Sequence, residues 1–140
     1  MSETLRLFIA LEIDPSLSQR IFKDFRQLPL IASFKPVPAD QMHLTLKFWP
    51  HFPIDLLKDL TDIMDQVAEQ FSSIDLELTQ PEIFGGQTAR ALVLSGVDQP
   101  ELQSLFEVLN QELATAKLAN LERRKFRPHL TLCRVREKME

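Results

Sequence analysis

Two periods of apolar residues alternate along this chain. Leu5 to Ile13 is a short apolar run bounded by Asp14-Pro15, which predicts a mostly buried strand. Asp14 is then a natural N-cap, with Pro15 at the first helical position. Leu17, Ile21, Phe25 and Leu28 follow at helical spacing, and Pro29 closes the helix they predict. Residues 30–41, with Pro36 and Pro38, read as an irregular connection. From His43 to Phe48 the pattern switches to strict alternation, the period of a half-buried strand, and Pro50 and Pro53 are expected to end it. Leu57, Leu60, Met64, Val67 and Phe71 predict a second helix. Ile74–Leu78 and Ala89–Leu94 alternate as strands, with Pro81–Thr88, containing Gly85-Gly86, as the turn between them. Leu102, Leu105, Leu109, Leu113 and Ala116 predict a third helix starting near Asp98 or Pro100, and His129–Val135 is the last alternating segment.

The order of elements repeats. Laying Asp98 on Asp14 pairs Arg90 with Arg6, Val93 with Ile9 and Val97 with Ile13. Each copy runs strand, Asp, Pro, amphipathic helix, loop, and then a strand opening His-Leu-Thr-Leu: His43-Leu44-Thr45-Leu46 and His129-Leu130-Thr131-Leu132. Apolar matches alone arise in many α/β chains; two identical tetrapeptides at nearly equal offsets do not. The expected fold is α+β: two pseudo-symmetric lobes of antiparallel sheet with outer helices and a central groove. The whole chain, 1–140, is read as a single domain with copies at about 5–49 and 89–135.

Composition narrows the chemistry. With 140 residues there is room for one full-size core. Three glycines leave no Gly-rich phosphate loop, and the single Cys133 leaves no disulfide framework. No apolar run approaches the ~20 residues of a membrane helix. The N-terminus lacks a basic region before its apolar run, unlike a signal peptide, so a cytoplasmic protein is expected, with no membrane partner. The formal net charge of −4 hides an asymmetry: residues 117–140 hold half of the 16 Lys and Arg residues but only three of the 20 acids. That basic segment reads either as a solvated tail or as a local anion site, better suited to a phosphate than to a long duplex.

On a strand, residues two apart share a face about 6.5–7 Å from one another. His43 with Thr45, and His129 with Thr131, therefore each present an imidazole beside a hydroxyl while the leucines point to the core. Facing each other across a groove, such pairs would flank one phosphate and hold its oxygens. Other readings are weaker. A zinc site from His43, His51, His129 and Cys133 lacks any close ligand pair. A serine nucleophile has no Gly-x-Ser-x-Gly elbow. Cys133, which alternation places on the His129 face, reads as a passive thiol more readily than as a nucleophile.

At these tetrapeptides the sequence resembles the two-histidine (2H) phosphoesterases, and within them the RNA 2′,3′-cyclic phosphodiesterases also called 2′-5′ RNA ligases. The flanks match too: Lys47-Phe48 after the first motif, Phe126-Arg127-Pro128 before the second, and the opening Arg6-Leu7-Phe8-Ile9-Ala10-Leu11. The resemblance implies that His43 is the proton donor, His129 the proton acceptor, and Thr45 and Thr131 the phosphate holders. Arg127, two residues before His129, is a further candidate to bind substrate. It implies no cofactor and no metal, with RNA ends or small cyclic phosphodiesters as partners. Hydrolysis would leave a 2′-phosphate, with 2′-5′ joining as the reverse reaction; a phosphate-binding module without turnover is the alternative. Phe48 falls where a base could stack, although its place on the Leu44/Leu46 face reads as core. Where members usually carry Leu-Gly after this Phe, the chain has Trp49-Pro50. Members also usually continue past the second motif with two more strands. A chain without them is expected to leave a sheet edge open beside a catalytic strand, so both a monomer and an edge-paired dimer stand as expectations.

Overall fold

The computed structural model describes residues 3–26, 34–84 and 91–135. The order is β1 (Thr4–Glu12), α1 (Pro15–Arg26), β2 (Phe34–Pro36), β3 (His43–Pro53), α2 (Leu57–Glu69), β4 (Leu78–Phe84), β5 (Ala91–Gly96), α3 (Pro100–Thr115) and β6 (His129–Val135). One-turn 3₁₀ helices at Ala39–Gln41 and Ile54–Leu56 flank β3. β1 and β3 form a two-stranded sheet, and β2-β6-β5-β4, in that spatial order, form an antiparallel four-stranded one. The class is α+β, as the patterning implies. Leu28, Arg90 and the Gly85-Gly86 turn lie outside the described residues.

The chain divides into two compact units, each taking segments from both repeat copies. The first holds residues 1–9, 46–76 and 98–127. Here α2 packs on α3: Leu60, Ile63 and Val67 are buried from one, and Leu102, Leu105, Phe106, Leu109 and Leu113 from the other. Met64, expected in the α2 stripe, is exposed, and Ile63 takes its place. Gln103 clamps the basic loop: its amide nitrogen donates to the Phe126 carbonyl, and its oxygen accepts from the Phe126 N–H at 3.2 Å. The Phe126 ring stacks on Phe106 with centroids 4.7 Å apart. α3 begins at Pro100, one of the two starts expected, and Asp98 just before it pairs with Lys125. The Trp49 indole donates to the Leu118 carbonyl at 3.0 Å. Phe48 is 44% exposed rather than core, with the Arg6 guanidinium 5.0 Å over its ring.

α3 closes in a Schellman motif: Leu118 N–H donates to Leu113 O at 2.9 Å and Lys117 N–H to Ala114 O at 3.0 Å. Lys117 holds the left-handed position, at φ 61°, where glycine is usual.

The second unit holds residues 10–45, 77–97 and 128–140. Asp14 caps α1 as expected: its carboxylate accepts from both the N–H and the hydroxyl of Ser16 at 2.9 Å, which holds its pKa below the ordinary value. The helix buries Ser18, and Leu17 is exposed. Three expectations give way. The strand placed at Ile74–Leu78 lies further on, at Leu78–Phe84, through the supposed turn and across Pro81. Proline is tolerated there because β4 is the sheet's edge, where a missing N–H costs no ladder bond. Likewise β3, in a two-stranded sheet, runs on through Pro50. Finally, β6 is not left with an open edge: β2 pairs with it on one side and β5 on the other.

Candidate active site

β2, a strand within the supposed irregular connection, brings the two motifs together. Its residues pair antiparallel with the end of β6, Pro36 opposite Cys133 and Lys35 opposite Arg134. Val37 N–H continues the ladder to Leu132 O at 2.9 Å. The 3₁₀ turn at Ala39–Gln41, closed by Gln41 N–H to Pro38 O at 2.9 Å, then turns the chain into β3 at His43. His43 is thereby set beside β6 within one unit.

Alternation does the rest on each strand. Leu44 and Leu46 are buried and anchor β3, leaving His43 and Thr45 half-buried on the other face. Leu130, fully buried, does the same for His129 and Thr131. The start of β6 is fixed by Gly96, whose N–H donates to Pro128 O at 2.8 Å. A Cβ at Gly96 would meet Glu77 O, Leu78 Cδ2 and Pro128 Cγ, each at 3.1 Å, so a side chain there would press its neighbours aside by a few tenths of an ångström.

His43, Thr45, His129 and Thr131 line a single small pocket, with Val37, Gln41 and Arg134 completing the wall. Its interior volume of ≈ 30 Å³ is about that of one water molecule. Two imidazoles can give and take protons there, two hydroxyls can donate to anionic oxygens, and the guanidinium supplies positive charge.

Val37, Gln41 and Arg134 line the pocket without having been named as site residues, although Arg134 belongs to the basic segment read above as a local anion site. Strict alternation through β6 groups Cys133 with His129 and Thr131, and the structure departs from it. Leu92 stands opposite Cys133 but the next residue, Val93, stands opposite Thr131. One extra residue on β6 makes a bulge, and beyond it the faces exchange. Cys133 turns to the face of Leu92 and is fully buried, and burial pushes its thiol pKa up. A reactive thiolate is disfavoured there. Arg134, opposite Ala91, joins the face of His129. Nothing in the amino-acid pattern announces that bulge.

The remaining candidates lie elsewhere. Arg127 is exposed, belongs to the first unit and is not among the residues lining the pocket. His51 is exposed. Among the described residues no three His, Cys, Asp or Glu side chains cluster as a metal site, and no helix is long and apolar enough to cross a membrane.

A doubled His-x-Thr pocket on an α+β frame defines a two-histidine phosphoesterase. The profile of the 2'-5' RNA ligase superfamily matches residues 13–138, and the chain belongs to that family. It is similar to the RNA 2',3'-cyclic phosphodiesterase of Archaeoglobus fulgidus, 26% identical over 135 residues, which are 96% of this chain and 74% of that protein. Among solved structures it resembles Escherichia coli LigT complexed with 3'-AMP, with a TM-score of 0.72 and 25% identity over 99% of this chain and 77% of the other. The Thermus thermophilus protein TT0787 shares the fold at a TM-score of 0.70 and 22% identity, over 97% of this chain and 77% of its own.

Proposed function

We propose that the chain hydrolyses 2′,3′-cyclic phosphate ends of RNA to 2′-phosphates without a metal, and that the same site runs the reverse 2′-5′ joining. The observation that carries this reading is the meeting of both His-Thr pairs in one pocket. The name of the Archaeoglobus relative supports the cyclic phosphate, and the 3'-AMP complex of LigT supports a nucleotide at such a site.

In this mechanism neutral His129 takes a proton from water as its oxygen attacks phosphorus. Protonated His43 gives a proton to O3′ as the P–O3′ bond breaks, leaving a 2′-phosphate and a free 3′-hydroxyl. Each positioned proton transfer contributes typically ~10²–10⁴-fold. Thr45, Thr131 and Arg134 donate to the phosphorane oxygens, where charge grows most in the transition state. With a 5′-hydroxyl in the place of water, His129 would take its proton as its oxygen attacks phosphorus and His43 would protonate O3′ as the P–O3′ bond breaks, leaving a 2′-5′ linkage.

The test is product analysis on an oligonucleotide ending in a 2′,3′-cyclic phosphate. A 2′-phosphate terminus is expected. A 3′-phosphate terminus, or tight binding without turnover, would overturn the reading, the latter in favour of a binding module. Turnover confined to small cyclic phosphodiesters would reassign the substrate.

A further inference from the structure

The two histidines are asked to play opposite roles, yet their motifs are identical; their neighbours are not. Ser95 of β5 stands directly opposite His129 in the antiparallel register. Residues so opposed share a face, with Cβ atoms ~4.5–5.5 Å apart. The Ser95 hydroxyl donates to Oε2 of Glu82 on β4. Glu82 stands opposite Val93, and Val93 opposite Thr131, so Ser95, Glu82, Val93, His129 and Thr131 all belong to the face that carries the pocket. In the first repeat copy the position equivalent to Ser95, three before the aspartate, is Leu11, which offers neither hydroxyl nor charge.

A serine hydroxyl has one proton and two lone pairs. With the proton committed to the Glu82 carboxylate, the lone pairs are free to accept a ring N–H from His129. We propose that Ser95 and Glu82 are positioning residues for His129, fixing the imidazole tautomer whose unprotonated nitrogen faces the pocket. This rests on the base role given to His129 above, and it follows the general arrangement of a base oriented by a third group. Among the described residues, the pocket also brings His43 and Arg134 to this face, with Lys35 of β2 opposite Arg134. Glu82 brings a carboxylate to this face.

The test compares S95A, S95T and E82Q with the unmodified chain in two ways. Both S95A and E82Q should lower kcat/KM on a 2′,3′-cyclic phosphate dinucleotide about 10-fold, and S95T should restore most of it. E82Q alone removes a negative charge from this face, so in E82Q the acid limb of the pH profile should move to lower pH while the alkaline limb stays. In substrate-free protein, imidazole ¹⁵N shifts should report one His129 tautomer in the unmodified chain and a mixture in S95A and E82Q. Unchanged tautomer and limbs in variants with unaltered melting temperature overturn the proposal. So does a rate loss that only tracks a fall in melting temperature. If the unmodified chain turns over no cyclic phosphate but the tautomer mixes as described, the positioning pair stands and the substrate assignment fails.

Discussion

The sharpest discrimination lies between two arginines seven residues apart. Arg134 lines the pocket with both histidines; Arg127 is exposed and lies outside the lining. A hydrogen bond to a charged group contributes about 1.5–3 kcal/mol. At about 1.4 kcal/mol per tenfold, R134A should lower kcat/KM roughly 10- to 150-fold. Arg134 is itself exposed. Solvent screening therefore places the expected loss at the lower end, about 10- to 30-fold. R134K should recover only part, because an ammonium keeps the charge and loses the planar fork. R127A, a surface change, should stay within about twofold. The assay is steady-state hydrolysis of a short oligonucleotide ending in a cyclic phosphate, repeated across salt. Each phosphate neutralised on a single strand adds a slope of about −0.7 in log K against log salt, and R134A should remove about one such unit. An R127A loss equal to or larger than that of R134A would refute the reasoning, because the bulge would then have re-aimed the wrong side chain.

Three further outcomes are expected. H43A and H129A should each abolish most activity, with the double variant little worse than either, and H51A should be nearly silent; substantial activity in either single variant would remove that histidine from the mechanism. The rate should be bell-shaped in pH with an optimum between about pH 6 and 8, since one imidazole must be free and the other protonated together, and T45A should lower the peak without moving the limbs; a rate still rising at about pH 10 would exclude a histidine proton donor. K117G should stabilise the chain by about 0.5–1 kcal/mol in thermal or urea unfolding, because the left-handed backbone costs a side-chain-bearing residue about 1–2 kcal/mol and glycine's looser unfolded state returns part of it; a lower melting temperature would count against strain at φ 61°.

Strong periodicity places most of the elements from the residues alone, and with them most of the chemistry. Alternation at His43–Leu46 and His129–Leu132 decides that imidazole and hydroxyl share a face, because the leucines between them must go inside. The Asp14 cap and the α3 stripe were legible for the same local reason, a donor or an apolar face that has one place to go. Tertiary structure decided the rest. β2 is three residues long, too short to carry a period, and it is a strand because β6 offers it partners. β4 and β3 run through prolines because edge positions leave the missing N–H facing no neighbour. Above all, the bulge at Leu92/Val93 exchanges Cys133 for Arg134 in the pocket. Period-2 reasoning is sound only while both strands advance one residue at a time, and whether they do is settled by pairing between segments distant in sequence, which no local pattern records.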